Sequence, residues 1–84
     1  MQDWKYTLER TSRVQSISMP KHAKIVATAL QEDSICMWAE VDATVDVVHR
    51  QFSVIATGQE YPFLTKYIGI IFDGIFVWHI VEHV

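Results

Sequence analysis

Cysteine is nearly missing from this chain: of 84 residues only Cys36 carries a thiol. A single thiol excludes an intramolecular disulfide, so stability has to come from packing, a metal or partner subunits, and a reducing compartment fits such usage. Glycine is equally scarce. Three glycines cannot build a phosphate-cradling loop, and no G-x-S-x-G elbow, P-loop or C-x-x-C pair occurs. Basic residues are few as well, seven against ten acids for a net charge of −3. That balance lacks the positive field on which non-specific DNA or RNA binding depends, so neither is an expected partner. The opening M-Q-D-W-K-Y-T-L-E-R alternates polar and apolar residues and has no continuous hydrophobic segment of the secretory type. A cytoplasmic location is the expectation.

What is present is a hydrophobic half and a charged fifth, a globular composition sized for one domain over residues 1–84. A chain this short buries a modest share of its surface, so association is a common source of further stability. Charge is unevenly placed. Residues 1–24 carry Lys5, Arg10, Arg13, Lys21 and Lys24 against Asp3 and Glu9, whereas the rest carries only Arg50 and Lys66 against eight acids. A small anion is compatible with that distribution.

Period-two alternation recurs along the chain and helical spacing does not. W-K-Y-T-L puts Trp4, Tyr6 and Leu8 on one side of a strand; V-Q-S-I-S-M forms a second that stops at Pro20; A-K-I-V-A-T-A-L runs to a polar turn at 31–34. In I-C-M-W-A-E-V-D one face holds Ile35, Met37, Ala39 and Val41, the other Cys36, Trp38 and Glu40. After a loop over 42–46, V-V-H-R-Q-F-S-V-I-A-T has an apolar face of Phe52, Val54 and Ala56. The longest remaining loop, Q-E-Y-P-F-L, carries Tyr61 and Phe63. The pattern predicts an all-β fold, a small sandwich or barrel of six to seven mostly antiparallel strands.

The C-terminal run Y-I-G-I-I-F-D-G-I-F-V-W-H-I-V-E-H-V is too often interrupted by polar residues for a membrane span, and Asp-Gly is a preferred type I′ hairpin pair. With Asp73 and Gly74 as the two turn residues, Phe72 faces Ile75, Ile71 faces Phe76, Ile70 faces Val77, Gly69 faces Trp78 and Ile68 faces His79. One hairpin face is then Ile68, Ile70, Phe72, Ile75, Val77 and His79; the other is Tyr67, Gly69, Ile71, Phe76, Trp78 and Ile80. Both are apolar, and a single sheet buries only one in its own core. The second needs another cover, which another sheet of the same chain, a second subunit or a ligand could supply, and self-association as a homo-oligomer through Tyr67, Ile71, Phe76, Trp78 and Ile80 is the expectation.

The spacing H-I-V-E-H, His79 to His83, matches an inverted zinc-protease motif, but that chemistry needs a helix. On a strand the two histidines stand roughly 13 Å apart with Glu82 on the opposite face, so no metal or other cofactor is expected. Cys36 lies in an apolar strand and reads as a buried small residue. His79 reads as a core histidine, His22 and His83 as solvated. Arg50 reads first as a structural ion pair with Glu40 or Asp42 and second as a ligand contact. Trp38 and Trp78 read first as packing residues.

The ordered elements W-K-Y (4–6), I-S-M-P-K-H-A-K-I (17–25), C-M-W-A-E-V-D (36–42), R-Q-F (50–52), T-G (57–58), Y-I-G (67–69) and F-V-W-H (76–79) resemble a family of short phage and prophage proteins of unknown function. The family's longer glycine-rich turn before the last strand is replaced here by F-D-G-I. The resemblance implies an infected bacterial cytoplasm and a non-enzymatic accessory that counters host immunity by sequestering a nucleotide-derived signal. Base stacking would fall to Trp38, Tyr61 or Phe63, and phosphate contacts to Arg50 or the basic set Arg10, Arg13, Lys21 and Lys24. The alternatives are an inhibitor that binds a host defence protein, as anti-CRISPR proteins do, and a structural virion accessory.

Overall fold

In the computed structural model, which describes residues 1–84, period-two patterning becomes seven strands and no helix: β1 Gln2–Leu8, β2 Gln15–Pro20, β3 Lys24–Gln31, β4 Ser34–Val41, β5 Val47–Ala56, β6 Thr65–Asp73 and β7 Phe76–His83. They form two antiparallel sheets, ordered β1-β4-β3 and β2-β5-β7-β6. The expected all-β architecture is found as a sandwich.

The alternation explains the layers. Ile35, Met37, Ala39 and Val41 of β4 point inward and are fully buried against Phe52 and Val54 of β5, Ile71 of β6 and Ile80 of β7. Met19 joins them from β2 and Leu8 from β1, with Tyr6 packed beside it and Trp4 already exposed at the strand's start. The β1 stripe thus runs out of the core toward water. Pro20 ends β2 as expected, and the β3–β4 turn is made by Glu32 and Asp33, both at positive φ (49° and 65°). Positive φ at both central positions is the type I′ geometry that matches strand twist, here built without glycine.

The C-terminal hairpin departs from expectation in its turn. Asp73 pairs with Phe76, Phe72 with Val77, Ile71 with Trp78, Ile70 with His79 and Gly69 with Ile80, so the turn residues are Gly74 and Ile75. Only Gly74 of those two has positive φ, at 60°, which is the type II′ arrangement with glycine first. Asp73 stays in the strand because its carboxylate accepts from Arg10 Nε at 3.1 Å and Trp78 Nε1 at 3.2 Å. Partners move by two residues, and since the strand period is two, the faces survive. A bulge between Tyr67 and Gly69 then corrects two assignments. Tyr67 turns outward to pair with Val81, and Ile68 turns inward to the core.

β3 and β6, edges of different sheets, meet at Gly69. A β-carbon there would lie 2.6 Å from Thr28 Oγ1 and 2.8 Å from its Cγ2, and Thr28 Oγ1 donates to the Ile70 carbonyl at 3.0 Å. Gly69, expected beneath Trp78, instead admits Thr28 and sews the sandwich along one edge. The cover for the outer face of the second sheet comes partly from the chain itself: Ser53, Ile55 and Val81 point outward yet are buried, with the Arg13 carbonyl on Ser53 Oγ and the Leu64 carbonyl on the Val84 amide.

Gly69→Ala is expected to lower unfolding stability by about 1–3 kcal/mol through the clash with Thr28. Urea denaturation of the double-mutant cycle with Thr28→Ala checks it: in the Thr28→Ala background most of the penalty disappears.

Candidate functional site

Arg50 lies on the same face of β5 as Phe52 and Val54, and the interior demands a partner for its charge. That partner is Glu82 of β7, not Glu40 or Asp42: Nε donates to Oε2 at 2.6 Å and Nη2 to Oε1 at 2.7 Å. The structural ion pair is present, but its carboxylate comes from 32 residues away, delivered by the register that sets Phe52 opposite Glu82. Nη1 donates to the Ala23 carbonyl, and the guanidinium sits 5.8 Å from the Phe52 ring centroid. The bond to Glu82 raises the Arg50 pKa. Asp42 is engaged elsewhere: the Thr44 hydroxyl and amide hold its carboxyl below the usual range.

Three of Arg50's five N–H groups are used by these bonds, leaving one on each terminal nitrogen. Arg50 lines an open cleft of about 300 Å³ with Ala23, with Lys24 and Ile25 from the start of β3 and with Lys66, Tyr67 and Ile68 from the start of β6. Glu82 offsets the charge of Arg50, whereas Lys24 and Lys66 enter no ion pair; the structure's three pairs are Arg10–Asp33, Arg10–Asp73 and Arg50–Glu82. The cleft is therefore cationic in a chain whose net charge is −3. Its lining contains no carboxylate, thiol or metal-ligand set.

Beside the cleft, Tyr67 is half exposed, its ring 6.4 Å from Tyr61 and 5.8 Å from His79. Its hydroxyl meets His79 Nδ1 at 3.0 Å, and His79 Nε2 lies 3.1 Å from Thr57 Oγ1. Desolvation, with Tyr61 adding to it, raises the Tyr67 pKa. His79 is thus hydrogen-bonded, but on the outer face and not in the core. His83, expected in solvent, is half-buried with Nε2 2.7 Å from the buried Ser53 hydroxyl. Glu82 points the other way, as strand geometry requires of the H-I-V-E-H segment. Cys36 is buried.

Of the six expected ligand contacts, Lys24 and Arg50 come together, and Tyr61 adjoins them through Tyr67. Trp38 is half-buried on the outer face of the first sheet; Arg13 and Phe63 lie in exposed loops away from the cleft. Among the expected interface residues, Ile71 and Ile80 are interior and Trp78 packs on the core, which removes them from any docking surface, while Tyr67 and Phe76 remain exposed. The cleft residue overlooked in sequence is Lys66. Its signal was present: with Arg50 it is the only lysine or arginine after residue 24.

Tyr6 carries a buried hydroxyl with no hydrogen-bond partner, and desolvation raises its pKa against the opposing field of Arg50. Tyr6→Phe is expected to leave stability unchanged or raise it by about 1 kcal/mol; a fall of that size in urea denaturation would place a bound water or ligand group on the hydroxyl. Glu82→Gln strands the partly buried Arg50 charge and is expected to cost about 2 kcal/mol, less than a fully buried pair because both side chains keep some solvent contact.

Comparison with known protein families matches residues 1–84 to one described as a domain of unknown function. No curated protein and no solved structure matches the chain. Covered from end to end, the chain belongs to the family of the domain of unknown function DUF7352.

Proposed function

We propose that this protein is a non-enzymatic binding domain that captures a phosphate-bearing, nucleotide-type small molecule in the cleft between β3 and β6. One observation carries the reading: Lys24, Arg50 and Lys66 line a single opening although the chain as a whole is acidic. Charge-assisted hydrogen bonds from such a set are the usual means of holding phosphate oxygens. A volume of about 300 Å³ sits at the small end of ligand pockets and suits one nucleotide unit. Tyr67 offers a ring face at the rim. The lining carries no carboxylate, thiol or imidazole, and capture without conversion is the chemistry proposed.

The resemblance to short phage and prophage proteins supplies the biological setting: a cytoplasmic sponge for a nucleotide-derived immune signal in an infected bacterium. The second reading, inhibition of a host defence protein, is favoured by Phe63 and Leu64, which project 89% and 61% exposed from the loop before β6.

Calorimetry with ATP, ADP-ribose and a cyclic dinucleotide at low salt tests the proposal. One ligand is expected per chain, recovered intact on denaturation, with Lys24→Glu plus Lys66→Glu weakening binding at least about tenfold. No binding by any of these probes, or release of a cleaved product, would overturn it.

A further inference from the structure

We propose that β1 is a dimer-forming edge, adding antiparallel to β1 of a second copy so that the three-stranded sheet becomes six-stranded across a two-fold axis. Of the four edge strands, β3 and β6 close on each other through Thr28 and the Ile70 carbonyl, and β2 is short and ends in Pro20. β1 is different. Its ladder with β4 runs without a bulge from Gln2 to Leu8, it contains no proline or glycine, and its far side has no strand beside it. Such an edge is a template for strand addition. It closes only past Leu8, where the Gln15 side chain takes both the amide and the carbonyl of Glu9.

Charge identifies the occupant as a second copy. β1 carries two charged side chains, Asp3 and Lys5, both exposed and both on the face away from Tyr6 and Leu8. A two-fold axis normal to the sheet has to pass through a residue, because paired residues share a face and the strand period is two. An axis at Asp3 or at Lys5 sets like charges opposite each other, one at Gln2 leaves Asp3 against Met1, and one at Tyr6 sets Asp3 against Glu9. An axis at Thr7 needs the edge of Glu9 that Gln15 occupies. An axis at Trp4 pairs Asp3 of each copy with Lys5 of the other, twice over, with no like charges opposed. Lys5 Nζ donates to Gln31 Oε1 at 2.9 Å in an exposed bond, a neutral acceptor that it exchanges for a carboxylate. The lysine that guards this edge against an unrelated strand thus sets the register for a second copy.

Trp4 lies on that axis. It is 38% exposed where the inward stripe of β1 leaves the core, with only Gln2 Oε1 on its Nε1, and its symmetry mate covers it as a cross-strand aromatic pair. β2, the free edge of the other sheet, has no charged side chain to oppose the approach. Main-chain hydrogen bonds hold such a contact more than area does, which makes it a weak dimer with a dissociation constant of micromolar order. The contact uses neither wall of the cleft, so it is independent of the ligand assigned there.

Sedimentation equilibrium and native mass spectrometry over a concentration series test the proposal. The wild-type chain is expected to reach twice its 9.7 kDa mass. Asp3→Lys and Lys5→Asp, both at exposed positions and checked for folding by circular dichroism, should each raise the dissociation constant at least about tenfold, and the double variant should restore it. Under mild oxidation Trp4→Cys should form a disulfide-linked dimer, since residues on the axis stand about 5 Å apart between Cα atoms. Thr7→Cys, roughly 20 Å from its mate in this register, should not. A wild-type monomer up to about 1 mM, single variants that dimerise like wild type, a double variant as weak as the singles, or equal cross-linking at both cysteines would overturn it.

Discussion

Thr28 can reach the backbone of β6 only because residue 69 has no side chain, and most of the architecture follows from that approach. Two small antiparallel sheets would otherwise face each other across an apolar core with every edge free. The Thr28–Ile70 hydrogen bond and the missing β-carbon bring the edges of β3 and β6 together, so that the first residues of both strands form the two walls of one cleft. The bulge beside Gly69 belongs to the same adjustment. It sends Ile68 into the core and Tyr67 to the rim, giving the cleft an apolar floor and an aromatic margin.

Arg50 joins the core to that cleft. Its stem and guanidinium share the inner face of β5 with Phe52, and the charge is tolerable there because Glu82 and the Ala23 carbonyl take three of its N–H groups. The arginine is a structural element first, holding β5, β7 and the start of β3 in one arrangement. The ion pair cancels its charge, so the positive potential of the opening comes from Lys24 and Lys66, and Arg50 contributes directional donors.

Much of the fold was legible because burial on one side of a sheet writes itself as alternation. Ile35, Met37, Ala39 and Val41 could be assigned to one face before any contact was known, and Pro20 announced the end of β2. The hairpin was legible in its faces but not in its turn: Asp-Gly permits more than one placement, and the bonds that hold Asp73 in the strand come from Arg10, 63 residues away. The bulge at Ile68 could not be read, since one inserted residue leaves no local signature. The candidate site was half legible. Lys24 and Arg50 stood out as cations, yet Trp38, Phe63 and Arg13 were grouped with them by chemical type alone, and the sheet order separates them.

Residue periodicity and composition by themselves determined an all-β protein of six to seven strands, without an internal disulfide and with an excess of apolar surface near its C-terminus, because such properties depend on each residue's preference for water and on its immediate neighbours. Tertiary structure decided everything that needs two distant segments at once: which carboxylate neutralises Arg50, which two lysines share an opening, and which hydrophobic residues of the last hairpin stay outside. Pairing energies between strands depend on register and edge approach, and those are set only when both sheets close on a common core.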